Sequence, residues 1–170
     1  MSTQQPEPWL RGTFTEVDAV QRAVLHALEL AGEDLHCWCA DLSDEEVNAR
    51  PHGLPPIAFQ LRHIARSLDR LLSYAEGQQL SLAQMTVLKT ELDGGATRAG
   101  LFAEVDGVLK ISAGRVRCFA PEEYGVARGV GKKALPTTVG GLLVHCADHT
   151  QRHVGQAVTT AKVLMAMRAG

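Results

Sequence analysis

TTVGGLLVHCADHTQRHVGQAVTTAKVLMAMR, residues 137–168, reads as one uninterrupted helix. Thr137 or Thr138 can cap its start, and no proline follows to break it. At about 100° per residue, His145, His149, His153 and Gln156 fall within roughly 80° of one another around the helix. Leu143, Ala147, Val154, Val158, Ala161 and Met165 gather about 140° from the middle of that face. The histidines therefore do not interrupt the apolar stripe. They hold a face of their own, which must look onto a cleft, another helix or a second copy of the chain. Histidines four residues apart on a helix have Cβ atoms about 5–6 Å apart, so both rings can reach one cation at about 2.0–2.1 Å. Two ligands from one helix bind weakly, and a third must come from another element. A structural or pH-sensitive histidine cluster is the alternative at this point.

Upstream, residues 120–136 hold Pro121, Gly125, Gly129, Gly131 and Pro136 with Lys132 and Lys133, and read as a long loop. A loop of that length is usually functional or mobile, so it could line or cover a site, with the two lysines as anion contacts, although a merely solvated loop suits it better. A third helix is expected from about Thr97 to Phe119, weakened by Gly107 and Gly114. Residues 78–94 are ambiguous, since Ser81 to Leu92 fits a short helix or an ordered loop equally well. The second helix runs from about Pro56 to Glu76, with Ile57, Leu61, Ile64, Leu68, Leu71 and Leu72 as its apolar stripe and Gly77 as its stop. Ser43 and Glu46 form a capping-box pair for a short helical turn, which Pro51, Gly53, Pro55 and Pro56 must end. The first helix is expected from about Thr15 to Asp41, and residues 1–12 as a flexible arm. No convincing strand is seen. Four long helices in 170 residues argue for an all-α four-helix bundle in a single domain, 1–170.

The formal charge of -2 gives no electrostatic reason to expect nucleic acid or an anionic membrane as partner. No apolar run approaches the roughly 20 residues of a membrane span, and the first residues lack a leader's basic-then-apolar pattern, so a cytoplasmic protein is expected. Cys37, Cys39, Cys118 and Cys146 do not have metal-knuckle spacing and read as small buried thiols. The third histidine could be His63 on the second helix, about 120° from the centre of its apolar stripe. Spacing alone does not prefer His63 over His26 or His36 on the first helix.

The segment GLLVHCADHTQRHVGQ, residues 141–156, resembles the final-helix signature of DinB-like and YfiT-like proteins, where a histidine pair four residues apart is followed by a small residue, Gly and Gln. IAFQLRHIARSLDR, residues 57–70, is similar to that family's second helix with its single ligand histidine, and LSDEEVNARPHG, residues 42–53, fits the segment before it. Val154 departs from the arginine that many relatives have there. The resemblance implies a four-helix bundle with a divalent metal, zinc or nickel, on His63, His149 and His153. His145 and Gln156 then fall to pocket or outer positions. It also implies an enzyme acting on a small molecule, either a hydrolase or a low-molecular-weight-thiol S-transferase. Three neutral imidazoles with an open position suit a catalytic rather than a closed structural site. Asp148 and Asp69 are acidic candidates for orienting a ligand ring, although solvated surface roles suit them better. A non-catalytic, stress-associated metal-binding module is the alternative function. The two faces of the last helix point to a homodimer.

Overall fold

The computed structural model describes residues 5–169. Caps decide where its helices begin. Asp18 accepts from the backbone N–H groups of Val20 and Gln21, so α1 spans Ala19–Cys39 and not the earlier start expected at Thr15. Ser43 and Glu46 make the expected reciprocal capping box, which starts α2, Asp44–Asn48. Pro56 precedes α3, Ile57–Ala75. That helix ends where Gly77 takes φ +78° and Gln78 N–H donates to Ser73 O at 2.9 Å, the Schellman pattern only a left-handed residue allows without strain. Ser81 and Gln84 form a second capping box and resolve the ambiguous stretch as α4, Leu82–Leu88. Thr97 caps α5, Arg98–Val116, and Thr138 accepts from Gly141 N–H at 3.0 Å at the start of α6, Val139–Ala169.

Four of these helices form a ring in which α6 packs on α1 and α3, and α5 packs on α3 and α1. The chain therefore crosses the ring diagonally twice, from α1 to α3 and from α5 to α6. The core inside it is aliphatic, with Leu35, Ile57, Leu61, Ile64, Leu68, Leu72 and Leu143 fully buried. Each such side chain contributes about 1.5–3 kcal/mol by leaving water. One fully buried polar residue, Gln60, stands among them on α3. The histidine face of α6 meets α3 of the same chain, so this face no longer calls for a second copy to cover it. Of the arm expected over 1–12, residues 1–4 lie outside the described residues. Pro8–Leu10 form a single 3₁₀ turn, and Arg11 pairs with Glu29 and Glu33 on α1.

The expected loop at 120–136 is instead built around a hairpin, which corrects the reading that no strand is present. β1, Ala127–Val130, pairs antiparallel with β2, Leu135–Thr138, in the register Ala127 to Thr138 and Val130 to Leu135. Each strand has only four residues and the pair includes Gly129 and Pro136, so the alternation that marks a strand never develops. Pro136 is tolerated because a two-stranded ribbon consists of edges. The hairpin is held by docking: Arg128 donates to Ala75 O at 2.8 Å at the end of α3, and Val139 N–H to Val126 O at 3.0 Å.

Candidate metal centre

α3 and α6 lie side by side, and the polar edge of each faces the other along His63, His149 and His153. The three rings are tilted or edge-on to one another, with centroids 5.0 Å apart for His63 and His149, 4.4 Å for His63 and His153, and 4.5 Å for His149 and His153. One ligand atom from each lies within 4.8 Å of the other two. The alternatives for the third histidine lie outside this group. His26 is hydrogen-bonded to Thr13 and tilted against Phe14, and His36 pairs with Asp106.

Outer contacts fix which nitrogens turn inward. His63 Nδ1 lies 2.7 Å from Glu91 Oε2, and a carboxylate can only accept, so Nδ1 carries the proton and Nε2 is left with its lone pair. His153 Nδ1 lies 2.7 Å from Gln60 Oε1, and the same reasoning frees its Nε2. His63 Nε2 stands 3.3 Å from His149 Nε2. Two such nitrogens repel unless a proton or a cation stands between them. Two tetrahedral ligands of one zinc at about 2.0–2.1 Å are themselves roughly 3.3–3.4 Å apart, so the donor set fits a divalent ion. Outer partners of this kind are what hold ligand imidazoles in register.

Burial, and then the neighbouring His153 and His63, push His149 down to about 4, so this ring is neutral and available as a ligand near pH 7. His153 is lowered by burial and by His63, with the Gln156 side chain opposing. Glu91 is buried, which alone would raise it, yet the hydrogen bonds from His63 and Arg70 bring it below the ordinary carboxylate range. It is therefore an anion where it meets His63.

A cleft of about 220 Å³ opens beside the rings, lined by His63, His149, His145, Arg70, Tyr74 and Val130, among others. The hairpin reaches this cleft through Val130, whereas Lys132 and Lys133 sit exposed at its turn. A larger hollow of about 490 Å³ at Asp44, Asn48 and Gly95 contains none of the histidines. His145 and His149 of the final-helix signature thus line a cleft, and a family model described as the DinB superfamily matches residues 27–157. The chain belongs to the DinB superfamily. Among solved structures, a conserved protein from Enterococcus faecalis is similar to this DinB chain with a TM-score of 0.72 and 19% identity, over 88% of this chain and 99% of that one. At that identity the likeness is one of fold. No curated protein matches.

The remaining expected site residues are placed as follows in this DinB fold. His145 lines the cleft, 5.2 Å from His149 between ring centroids. Gln156 is exposed in a neighbouring groove with Leu54, Pro55 and Arg152. Neither acidic candidate reaches a ligand ring: Asp148 pairs with His145 at 2.8 Å, and Asp69 with Arg115 at 2.9 Å. The residues that do hold the rings, Glu91 and Gln60, were missed by the sequence reading. Arg62, Arg66 and Arg70, four residues apart on the flank of His63, were the available signal that α3 needs an acidic or carbonyl-rich cover. Gln60 left no signal. Cys39 and Cys146 are buried as expected, each thiol pushed up to about 12 by burial, whereas Cys37 and Cys118 are exposed. None of the four belongs to the histidine group. Among the described residues no helix is long and apolar enough to cross a membrane.

Proposed function

We propose that this protein is a divalent-metal-dependent enzyme, with zinc or nickel held by His63, His149 and His153, that hydrolyses a small molecule or transfers a low-molecular-weight thiol onto one. The observation that carries the proposal is the convergence of three ring nitrogens, within 4.8 Å of one another, at the edge of a cleft of about 220 Å³. When bound, the cation supplies Lewis acidity and lowers the pKa of a water or thiol that joins it. The chain supplies the rest. Gln60 and Glu91 keep two rings pointed inward, and Tyr74, Leu71 and Val130 narrow the cleft and exclude water. His145 has Nδ1 engaged by Asp148, so Nε2 is the nitrogen left to accept a proton from a molecule in the cleft.

The test begins with elemental analysis of protein purified without an affinity tag, which should find one zinc or nickel per chain. The metal-loaded protein should then turn over an electrophile in the presence of a thiol, or hydrolyse an ester or amide. His149→Ala should remove that turnover while far-UV circular dichroism stays that of the parent. A second reading, a non-catalytic module, is favoured by the two-helix origin of the ligands, since an ion shared by α3 and α6 would brace the bundle. Metal that raises the melting temperature with no turnover across the substrate panel would decide for it.

A further inference from the structure

The stretch from Ser81 to Asp93 inverts the usual rule of burial. Leu82 is 79% exposed and Leu92 65% exposed, while Glu91 is 5% exposed. Glu91 is the one buried residue between Ser81 and Asp93. A carboxylate is costly to bury and is rarely found inside unless paired. Here both oxygens are used: Oε2 accepts from His63 and Oε1 from Arg70, at 2.7 Å each. Arg70 also donates to Ser67 Oγ at 3.1 Å, and Ser67 Oγ lies 3.4 Å from His63 Nε2, which closes a ring of three residues on the His63 imidazole.

What docks this stretch on the bundle is polar rather than apolar. Arg66 donates to Val87 O at 2.7 Å and to Thr90 Oγ1 at 3.0 Å, Arg62 donates to Asp93 O, and Gln84 donates to Asp69 at 2.7 Å and to Ser73 at 2.9 Å. Solvent-accessible hydrogen bonds with little apolar burial are the signature of a segment that opens at low free energy. Its buried contact with the rings is made by Glu91. We infer that Glu91 is a positioning residue for His63, and that Ser81–Asp93 is a latched cover whose docking is linked to metal affinity at the histidine group. The inference rests on the metal-binding reading proposed above. Linkage is reciprocal: if docking the cover sharpens the site, filling the site must hold the cover down.

The experiment is a Zn²⁺ titration of the full chain joined to amide hydrogen exchange and ¹⁵N spectra of the His63 ring, on parent protein and four variants. Glu91→Ala should weaken Zn²⁺ binding about 10–100-fold, the usual loss for an outer partner of a ligand histidine. It should also abolish the Nδ1–H form of His63. Glu91→Gln keeps an acceptor for that proton, so it should retain the tautomer and recover part of the affinity. Arg66→Ala should speed exchange over residues 82–93 and weaken Zn²⁺ by less than Glu91→Ala does. Glu104→Ala removes the other partner of Arg66 and should do neither. In the parent, Zn²⁺ should slow exchange over 82–93. Parent affinity retained in Glu91→Ala, or exchange over 82–93 untouched by Zn²⁺, overturns this inference alone. A parent that takes up no Zn²⁺ overturns the metal-binding reading and this inference together.

Discussion

α6 and the stretch Ser81–Asp93 reach the same imidazoles and are built in opposite ways. α6 brings His149 and His153 on a 31-residue helix anchored by buried Leu143, Val154, Ala157 and Ala161. The other brings Glu91 on the turn after a seven-residue helix that has no buried residue of its own. The first places its histidines by packing, where a small displacement is resisted by many contacts at once. The second places an outer partner by a few hydrogen bonds, each worth on the order of 1 kcal/mol net. Rigid histidines with a yielding support would give the proposed site a preset geometry and a grip that can be tuned.

The largest effect should come from breaking the rigid side. His149→Ala ought to lower Zn²⁺ or Ni²⁺ affinity by more than about 100-fold, since it takes one of only two ligands on that helix, with calorimetric titration as the measurement. Leu61→Ala would loosen α3, which serves both regions, and should cost about 2–5 kcal/mol in urea unfolding. Gln60→Leu sharpens the comparison from within the core. Its Nε2 is buried without a partner while its Oε1 accepts from His153, so the variant removes one unpaired group and creates another: its melting temperature should change little while metal binds about 10-fold more weakly as the His153 ring loses its acceptor. A gain in both properties would show that Gln60 does not serve the site.

The smallest effect should be electrostatic and far from the histidines. Arg168 pairs with Glu46 and, with the Ser43 backbone N–H, lowers that carboxyl from 4.5 to about 2. A depressed carboxyl adds stability above its unfolded value and loses it as pH falls toward the folded one. Thermal melts of the parent should therefore lose this contribution between about pH 4.5 and 2, and Arg168→Met should lack that part of the slope. The metal titrations of the two proteins at pH 7 should coincide.

The same contrast explains what could be read in the chain beforehand. The four long helices followed from apolar residues at 3.6-residue steps; the cap Asp18 moved the start of α1 from the expected Thr15 to Ala19, whereas Thr97 capped α5 where its start was expected. His149 and His153 were legible because helical spacing alone puts them on one face. His63 was not, since spacing left His26 and His36 as equals, and it was the likeness to a family that separated them. Glu91 stood 28 residues from its partner with no periodic pattern to tie them. The hairpin was hidden for a different reason: four-residue strands with Gly129 and Pro136 carry too little alternation to register, and their order comes from docking on α3.

That hairpin separates two tasks along the chain. The bundle holds the histidines, whereas one rim of the opening beside them is Val130, on a ribbon whose turn, Gly131–Ala134, is exposed. Doubling a short turn costs only about 0.6 kcal/mol in closure entropy. Insertions there would thus reshape the doorway, and with it the molecules admitted, while the scaffold behind kept its sequence unchanged.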